Sequence, residues 1–292
     1  MTDGTIELPD GRTLGYSDYG PADGVAVVWC HGGPGSRLEP KTISHAAAAM
    51  GQRVIGFDRP GYGLSSPRPG RSIESVVPDQ LALADHLGLD TFYVVGVSTG
   101  GAYALATAAI APDRVAGVVA CCALTDMRDE TARAAMTGDG SIADIWNSTT
   151  RDDAIDFAET QFGPDGAKLL AGAADGTSGV RLADADMAMF TDAAFLTDMM
   201  AGLAPMFAWG VQGYVDDRLA DGPGWSGFDV KLIVAPVVVL HGKADTLCPV
   251  VNAHHTAAVV PNATLRLTEN DGHFSIVGQV PVVLGDLMKA QG

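Results

Sequence analysis

The sequence is short of positive charge, short of cysteine, and without any long apolar run. Lys and Arg number 18 against 35 Asp and Glu, a formal net charge of −17. A chain this acidic repels phosphate backbones and anionic bilayers, which argues against nucleic-acid and membrane partners. The four cysteines are Cys30, Cys121, Cys122 and Cys248. No Cys-x-x-Cys pair occurs, and adjacent Cys121 and Cys122 do not read as a disulfide framework. The histidines do not fall at ligand spacing with them, so a structural zinc site is not expected. Every apolar stretch is interrupted by Gly, Pro or charge, so none has the length of a membrane span. The N-terminus lacks the basic start and apolar run of a secretory signal, and a cytoplasmic protein is expected.

What is present is a globular balance, 47% hydrophobic and 18% charged over 292 residues. Thr5–Leu8 and Thr13–Tyr19 read as a hairpin around the turn-forming Pro9-Asp10-Gly11. Val25–Cys30, Arg53–Phe57, Phe92–Val97, Val115–Cys121 and Pro236–Leu240 are short, nearly continuous apolar runs, as strands covered on both faces should be. Thr264–Leu267 reads as a last strand. Helical segments are expected at Ser72–Leu87, Ala102–Ala111, Val250–Val260 and Ile276–Ala290. Strands alternating with helices imply right-handed βαβ units, so the fold class is α/β with a mostly parallel, doubly wound sheet.

The alternation stops between Leu124 and Asp229. This stretch is rich in Ala, Asp and Met and reads as several short helices, a helical cap inserted into the core. The expected division is a core of 1–123 and 230–292 with a cap of 124–229. The cap holds 19 acids and 6 bases, 6 − 19 = −13, whereas the rest holds 16 and 12, 12 − 16 = −4. One reading is a solvated face that keeps the cap soluble. The other is a field that attracts a cationic group on a substrate.

Phe92–Val97 runs into Gly96-Val97-Ser98-Thr99-Gly100 and then into a helix. A sharp strand-to-helix turn forces its central residue into a strained conformation and crowds the residues two positions away, so glycine is needed at both. Ser98 is lifted clear of the sheet beside a helix N-terminus and is the candidate nucleophile. A serine hydroxyl needs a base. His273, in Asp271-Gly272-His273-Phe274 after the last strand, suits that role better than His31, His45, His86, His241, His254 or His255. The base needs a carboxylate to fix its tautomer. Asp245, just past the Pro236–Leu240 strand, is the candidate, with Asp126 its rival after Val115–Cys121. The oxyanion should rest on the N–H of Thr99 and on one from His31-Gly32-Gly33-Pro34-Gly35, each donor worth about 3–4 kcal/mol. Pro34 has no N–H. Gly33 is preferred, with Gly32 open.

His-Gly-Gly-Pro-Gly, Asp58-Arg59-Pro60-Gly61-Tyr62-Gly63-Leu64-Ser65, the Ser98 elbow, the Asp245 loop and the Gly-His-Phe loop together resemble the α/β-hydrolase superfamily across nearly the whole core. The resemblance implies a substrate pocket between core and cap, with Leu38, Met206, Trp209 and Phe274 as candidate contacts and Met199, Met200, Phe207 and Trp225 nearby. It implies that Asp58–Ser65 braces the site without taking part in the chemistry. The expected activity is a two-step hydrolysis of a carboxylic ester, or a related acyl bond, of a small apolar molecule, which needs neither a metal nor another cofactor. Prolyl aminopeptidases share His-Gly-Gly-Pro-Gly, but their usual Gly-Gly-Ser-Trp-Gly elbow is replaced here, and the cap holds only Glu130 and Glu159 as glutamates. A C–C bond hydrolase is a third reading, and a ligand receptor on the same fold is the non-enzyme reading. Self-association into a homo-oligomer stays open.

Overall fold

The structure, a computed structural model, describes residues 1–136, 141–168 and 181–291. Nine strands are described: β1 Thr2–Glu7, β2 Thr13–Tyr19, β3 Val25–Cys30, β4 Gln52–Phe57, β5 Phe92–Val97, β6 Val115–Cys121, β7 Ala208–Val211, β8 Val237–Gly242 and β9 Ala263–Thr268. Eight of them form one sheet in the order β1-β2-β4-β3-β5-β6-β8-β9. β1 and β2 pair antiparallel, as does β2 with β4, and every pairing from β4 through β9 is parallel. This is the mostly parallel α/β sheet that the alternation predicts.

The helices of the core are α1 Ser44–Ala49, α2 Val77–His86 and α3 Gly100–Ile110, with α10 Val251–Val259 and α11 Val280–Lys289 near the C-terminus. Successive strand residues point to opposite faces, and both faces are buried. Val28, Ile55, Val94, Val118 and Val239 belong to one apolar cluster, with Leu83 of α2, Tyr103 of α3 and Ala253 of α10. Val27, Val54, Val95, Val119 and Val238 belong to the other, with Ala47 of α1 and Val283 of α11. Burial on both sides is why these strands read as continuous apolar runs without alternation.

Two boundaries move for a physical reason. The expected Ser72–Leu87 helix opens with a 3₁₀ turn, Glu74–Val76, and becomes α-helical only at Val77, beside Pro78. The expected Ile276–Ala290 helix likewise opens with a 3₁₀ turn at Ser275–Gln279, and α11 starts beside Pro281. Proline is tolerated in a first turn but not in a helix interior.

Among the described residues, the stretch between β6 and β8 adds no strand to the sheet. This insertion carries α4 Glu130–Met136, α5 Ser141–Trp146, α6 Arg151–Phe162, α7 Asp184–Met189, α8 Ala193–Leu203 and α9 Gln212–Asp221. Stretches 137–140 and 169–180 of the expected cap lie outside the described residues. The expectation of helices alone is corrected by the short strand β7, which leads from a 3₁₀ turn at Ala204–Phe207 into α9. Among the described residues no single helix is long and apolar enough to cross a membrane.

Candidate active site

Parallel strands send their loops out at one edge, where α/β sheets hold their ligands. Here β3 leads into His31–Gly35, β5 into Ser98, β6 into Cys122, β8 into Asp245 and β9 into His273.

The elbow is sterically closed around glycine. Ser98 has φ 53°, in the left-handed region that side chains avoid. A Cβ on Gly96 would overlap the Gly100 carbonyl, and one on Gly100 would overlap the Cys30 carbonyl and lie 2.6 Å from that of His31. The turn is tied to β6 by Ser98 N–H donating to Cys121 O at 3.0 Å and by Leu124 N–H donating to Ser98 O at 3.2 Å. Residues 121–124 therefore wrap the elbow.

The loops after β8 and β9 meet at a short contact. His273 Nδ1–H donates to Asp245 Oδ2 at 2.8 Å. Asp245 Oδ1 accepts the N–H groups of Leu247 at 2.9 Å and Cys248 at 2.8 Å. Burial pushes the Asp245 carboxyl up, but the facing imidazole and these hydrogen bonds outweigh it, and its pKa lies below the usual 3.8. Burial works against the His273 imidazolium, while the Asp245 carboxylate hydrogen-bonded to it works for it. The balance raises its pKa well above 6.5.

Cys122 is the link between elbow and pair. Its own φ is 40°, its N–H donates to Leu240 O at 2.8 Å, and its thiol donates to His273 O at 3.5 Å. Its sulfur, a carboxylate oxygen of Asp245 and a ring nitrogen of His273 all lie within 4.8 Å of one another. Burial holds the thiol well above its usual range, and so protonated. Among the described residues no hydrogen bond joins Ser98 Oγ to His273. Catalytic hydrogen bonds are often long before substrate arrives.

Both expected oxyanion residues flank the elbow. A Cβ on Gly33 would lie 2.9 Å from Thr99 Oγ1 and one on Gly32 would lie 3.7 Å from Ser98 Cβ, so the glycine loop sits against the serine turn. The N–H of Gly32 already donates to Glu39 Oε2 at 2.9 Å, which leaves Gly33 the freer donor. Glu39 Oε1 also accepts from Trp29 Nε1 at 2.9 Å, and burial raises the Glu39 pKa. Nothing in the sequence pattern marks Glu39. Nor does it mark Arg218 of α9, whose guanidinium donates to Thr99 Oγ1 and pairs with Asp221 Oδ2 at 2.8 Å.

His31, His241 and Asp126 have partners of their own, although His241 Nε2 also lies 3.5 Å from Asp245 Oδ2. His31 Nδ1 donates to Gly32 O at 2.6 Å, its Nε2 accepts the Arg59 N–H at 3.2 Å, and burial beside Arg59 holds it neutral. His241 Nε2 donates to Cys248 O at 2.7 Å, and burial lowers its pKa. Asp126 holds Arg128 at 2.6 Å and the Trp225 N–H at 3.1 Å, at a cleft of about 310 Å³ that none of Ser98, Asp245 and His273 lines.

The candidate substrate contacts are dispersed. Phe274 stacks edge-on against His273, with ring centroids 5.6 Å apart, and against Phe190 of the insertion at the same separation. The Leu38 backbone lies against Gly202 of α8. Met206 packs in the insertion's own cluster with Phe207 and Tyr214. Trp209, on β7, is 44% exposed.

The chain belongs to the alpha/beta hydrolase fold family, whose model matches residues 25–278. A non-heme chloroperoxidase of Streptomyces lividans is 27% identical over 98% of both chains. A probable proline iminopeptidase of Leptolyngbya boryana is 26% identical over 90% of this chain and 85% of that one. A thermophilic esterase from Thermogutta terrifontis has the same fold, with a TM-score of 0.67 at 21% identity over 100% of this chain and 98% of that one.

Proposed function

We propose that this chain is a serine hydrolase that cleaves a carboxylic ester, or a related acyl bond, of a small and largely apolar substrate. The observation that carries the reading is the 2.8 Å Asp245–His273 pair, joined through Cys122 to an elbow that holds Ser98 at φ 53°. In this reading Ser98 Oγ bonds to the substrate carbonyl carbon as its proton passes to His273 Nε2. The carbonyl oxygen takes the negative charge and rests on the N–H groups of Gly33 and Thr99. The bond to the leaving group breaks, and His273 returns the proton to it. Water then attacks the acyl-serine with His273 as base, and the acid product leaves with Ser98 restored. Asp245 holds Nδ1–H, so Nε2 is the nitrogen left to accept. The insertion acts as a cap over this edge, with Phe274 nearest the chemistry.

A peptidase reading draws support from the iminopeptidase relative and the acidic insertion. Against it, Asp217 is shared among Arg59, Arg71, Tyr62 and Tyr103, and Asp216 holds Arg151, so neither is free for a substrate ammonium. Assays on p-nitrophenyl acetate and proline β-naphthylamide separate the two. Ester turnover without amide turnover is expected, and the reverse result reverses the assignment. A fluorophosphonate should label the wild type. Ser98→Ala should abolish labelling and lower kcat by about 10⁴–10⁶.

A further inference from the structure

Residues 181–189 of the insertion lie across both loops that carry the Asp245–His273 pair. At one end, the carbonyl of Arg181 accepts from Thr246 Oγ1 at 2.5 Å, one residue past Asp245. At the other, Asp186 of α7 reaches the base loop. Its Oδ2 accepts the N–H of His273 at 2.9 Å. Its Oδ1 accepts the N–H groups of Phe274 at 3.1 Å and Ser275 at 2.8 Å, and the Ser275 hydroxyl at 2.7 Å. Ser275 Oγ in turn accepts the N–H of Gly272 at 2.8 Å.

Local chemistry explains why a distant carboxylate is used. The 3₁₀ turn Ser275–Gln279 begins directly after Phe274, whose side chain cannot cap it. Its first N–H groups would be orphaned at a part-buried helix start. Asp186 supplies the missing acceptors from another part of the chain, as an N-cap side chain normally would. Asp186 is itself only 1% exposed, and a buried carboxylate must be hydrogen-bonded. Among the described residues no cation pairs with it, and its four donors all belong to 273–275. Gly272 makes the approach possible: a Cβ there would overlap Asp186 Oδ2 and lie 2.7 Å from Ala183 Cβ.

We propose that Asp186 is a positioning residue for the reaction, fixing the backbone that carries His273 so that the imidazole keeps its angle to Asp245 and its reach toward Ser98. This rests on the reading of His273 as the general base. The insertion is then part of the base's mounting as well as a wall over the site. Four donors converge on two oxygens, which suits a carboxylate. An amide in its place would turn a donor toward a donor.

The test is Asp186→Asn, nearly isosteric, with kcat and KM on p-nitrophenyl acetate, the rate of fluorophosphonate labelling, and near-UV circular dichroism as the check on folding. A folded Asp186→Asn is expected to lose on the order of 10–100-fold in kcat and in labelling rate, as small misplacements of catalytic groups do, with KM within about 2-fold. A folded variant with wild-type kcat and labelling, or one whose KM rises while kcat holds, overturns the proposal. If Asp186→Asn does not fold, Ser275→Ala removes one donor and the relay to Gly272 while keeping the carboxylate. It should lower kcat about 3–10-fold at unchanged KM, and wild-type kcat in a folded Ser275→Ala also overturns the proposal. Ser98→Ala keeps the two questions apart. Full turnover in Ser98→Ala removes the serine-hydrolase reading itself, whereas inactive Ser98→Ala with normal Asp186→Asn removes only the role of Asp186.

Discussion

The φ of 53° at Ser98 is held by glycine on both sides, because side chains at 96 or 100 would occupy the space of backbone carbonyls. Gly100→Ala should therefore destabilise by about 1–3 kcal/mol or more, as overpacking does, and urea denaturation measures it. Activity should depend on pH through His273. Its folded pKa is raised above 6.5. The neutral base is populated only above that raised value, so kcat/KM should fall as pH falls through it. The acid limb of the profile is expected above pH 6.5, and Asp245→Asn should move it down while lowering kcat. An acid limb below pH 6 in the wild type would contradict the environment described for His273. Gly-x-Ser-x-Gly and the glycine after His31 were legible in the sequence because steric need is local. Glu39, Cys122 and Asp186 were not, because their partners lie on other loops and no spacing rule links them.

Among the elements, α9 changes the meaning of the acidic insertion. Asp216, Asp217 and Asp221 are all buried, although the sequence read the acid excess as a solvated face or a steering field. Asp217 accepts from Arg59 at 2.6 Å, Arg71 at 2.6 Å, Tyr62 at 2.7 Å and Tyr103 at 2.9 Å. Burial opposes this carboxylate, but the two guanidinium groups hold its pKa far below 3.8. A depressed folded pKa stabilises the fold above the unfolded value, and that stability is lost as pH falls toward the folded one. Asp217→Ala leaves Arg59 and Arg71 buried without their carboxylate and should cost about 3–5 kcal/mol by denaturant titration. Nothing in the sequence sets Asp216, Asp217 and Arg218 apart from the other charges of the insertion. Packing supplies their partners: the Asp58–Ser65 turn, which was read as a brace, gives Asp217 its Arg59 and Tyr62, while α6 gives Asp216 its Arg151.

At the scale of the whole molecule, these buried pairs tie the insertion to the sheet. Arg59 and Arg71 stand on the core side, and Asp186 and Arg181 reach back from the insertion to the loops that carry His273 and Asp245. Core and insertion should therefore unfold in one cooperative step. Trp29 is fully buried in the sheet and Trp209 is 44% exposed on β7, so single-tryptophan variants can report the two parts separately. Coincident urea midpoints are expected, and midpoints clearly apart would mean that these contacts do not couple them.

The sequence by itself determined the sheet, the elbow and the order in which Ser98, Asp245 and His273 follow one another. Those features rest on short-range physics: continuous apolar runs for strands covered on both faces, and glycine where a turn leaves no room for a Cβ. Tertiary structure alone decided which charges are buried, which histidines have partners of their own and which carboxylate supports the base loop. Such choices depend on what a side chain meets after the chain closes on itself: Asp186 meets His273 across 87 residues and Asp217 meets Arg59 across 158. No local pattern encodes a partner that far away.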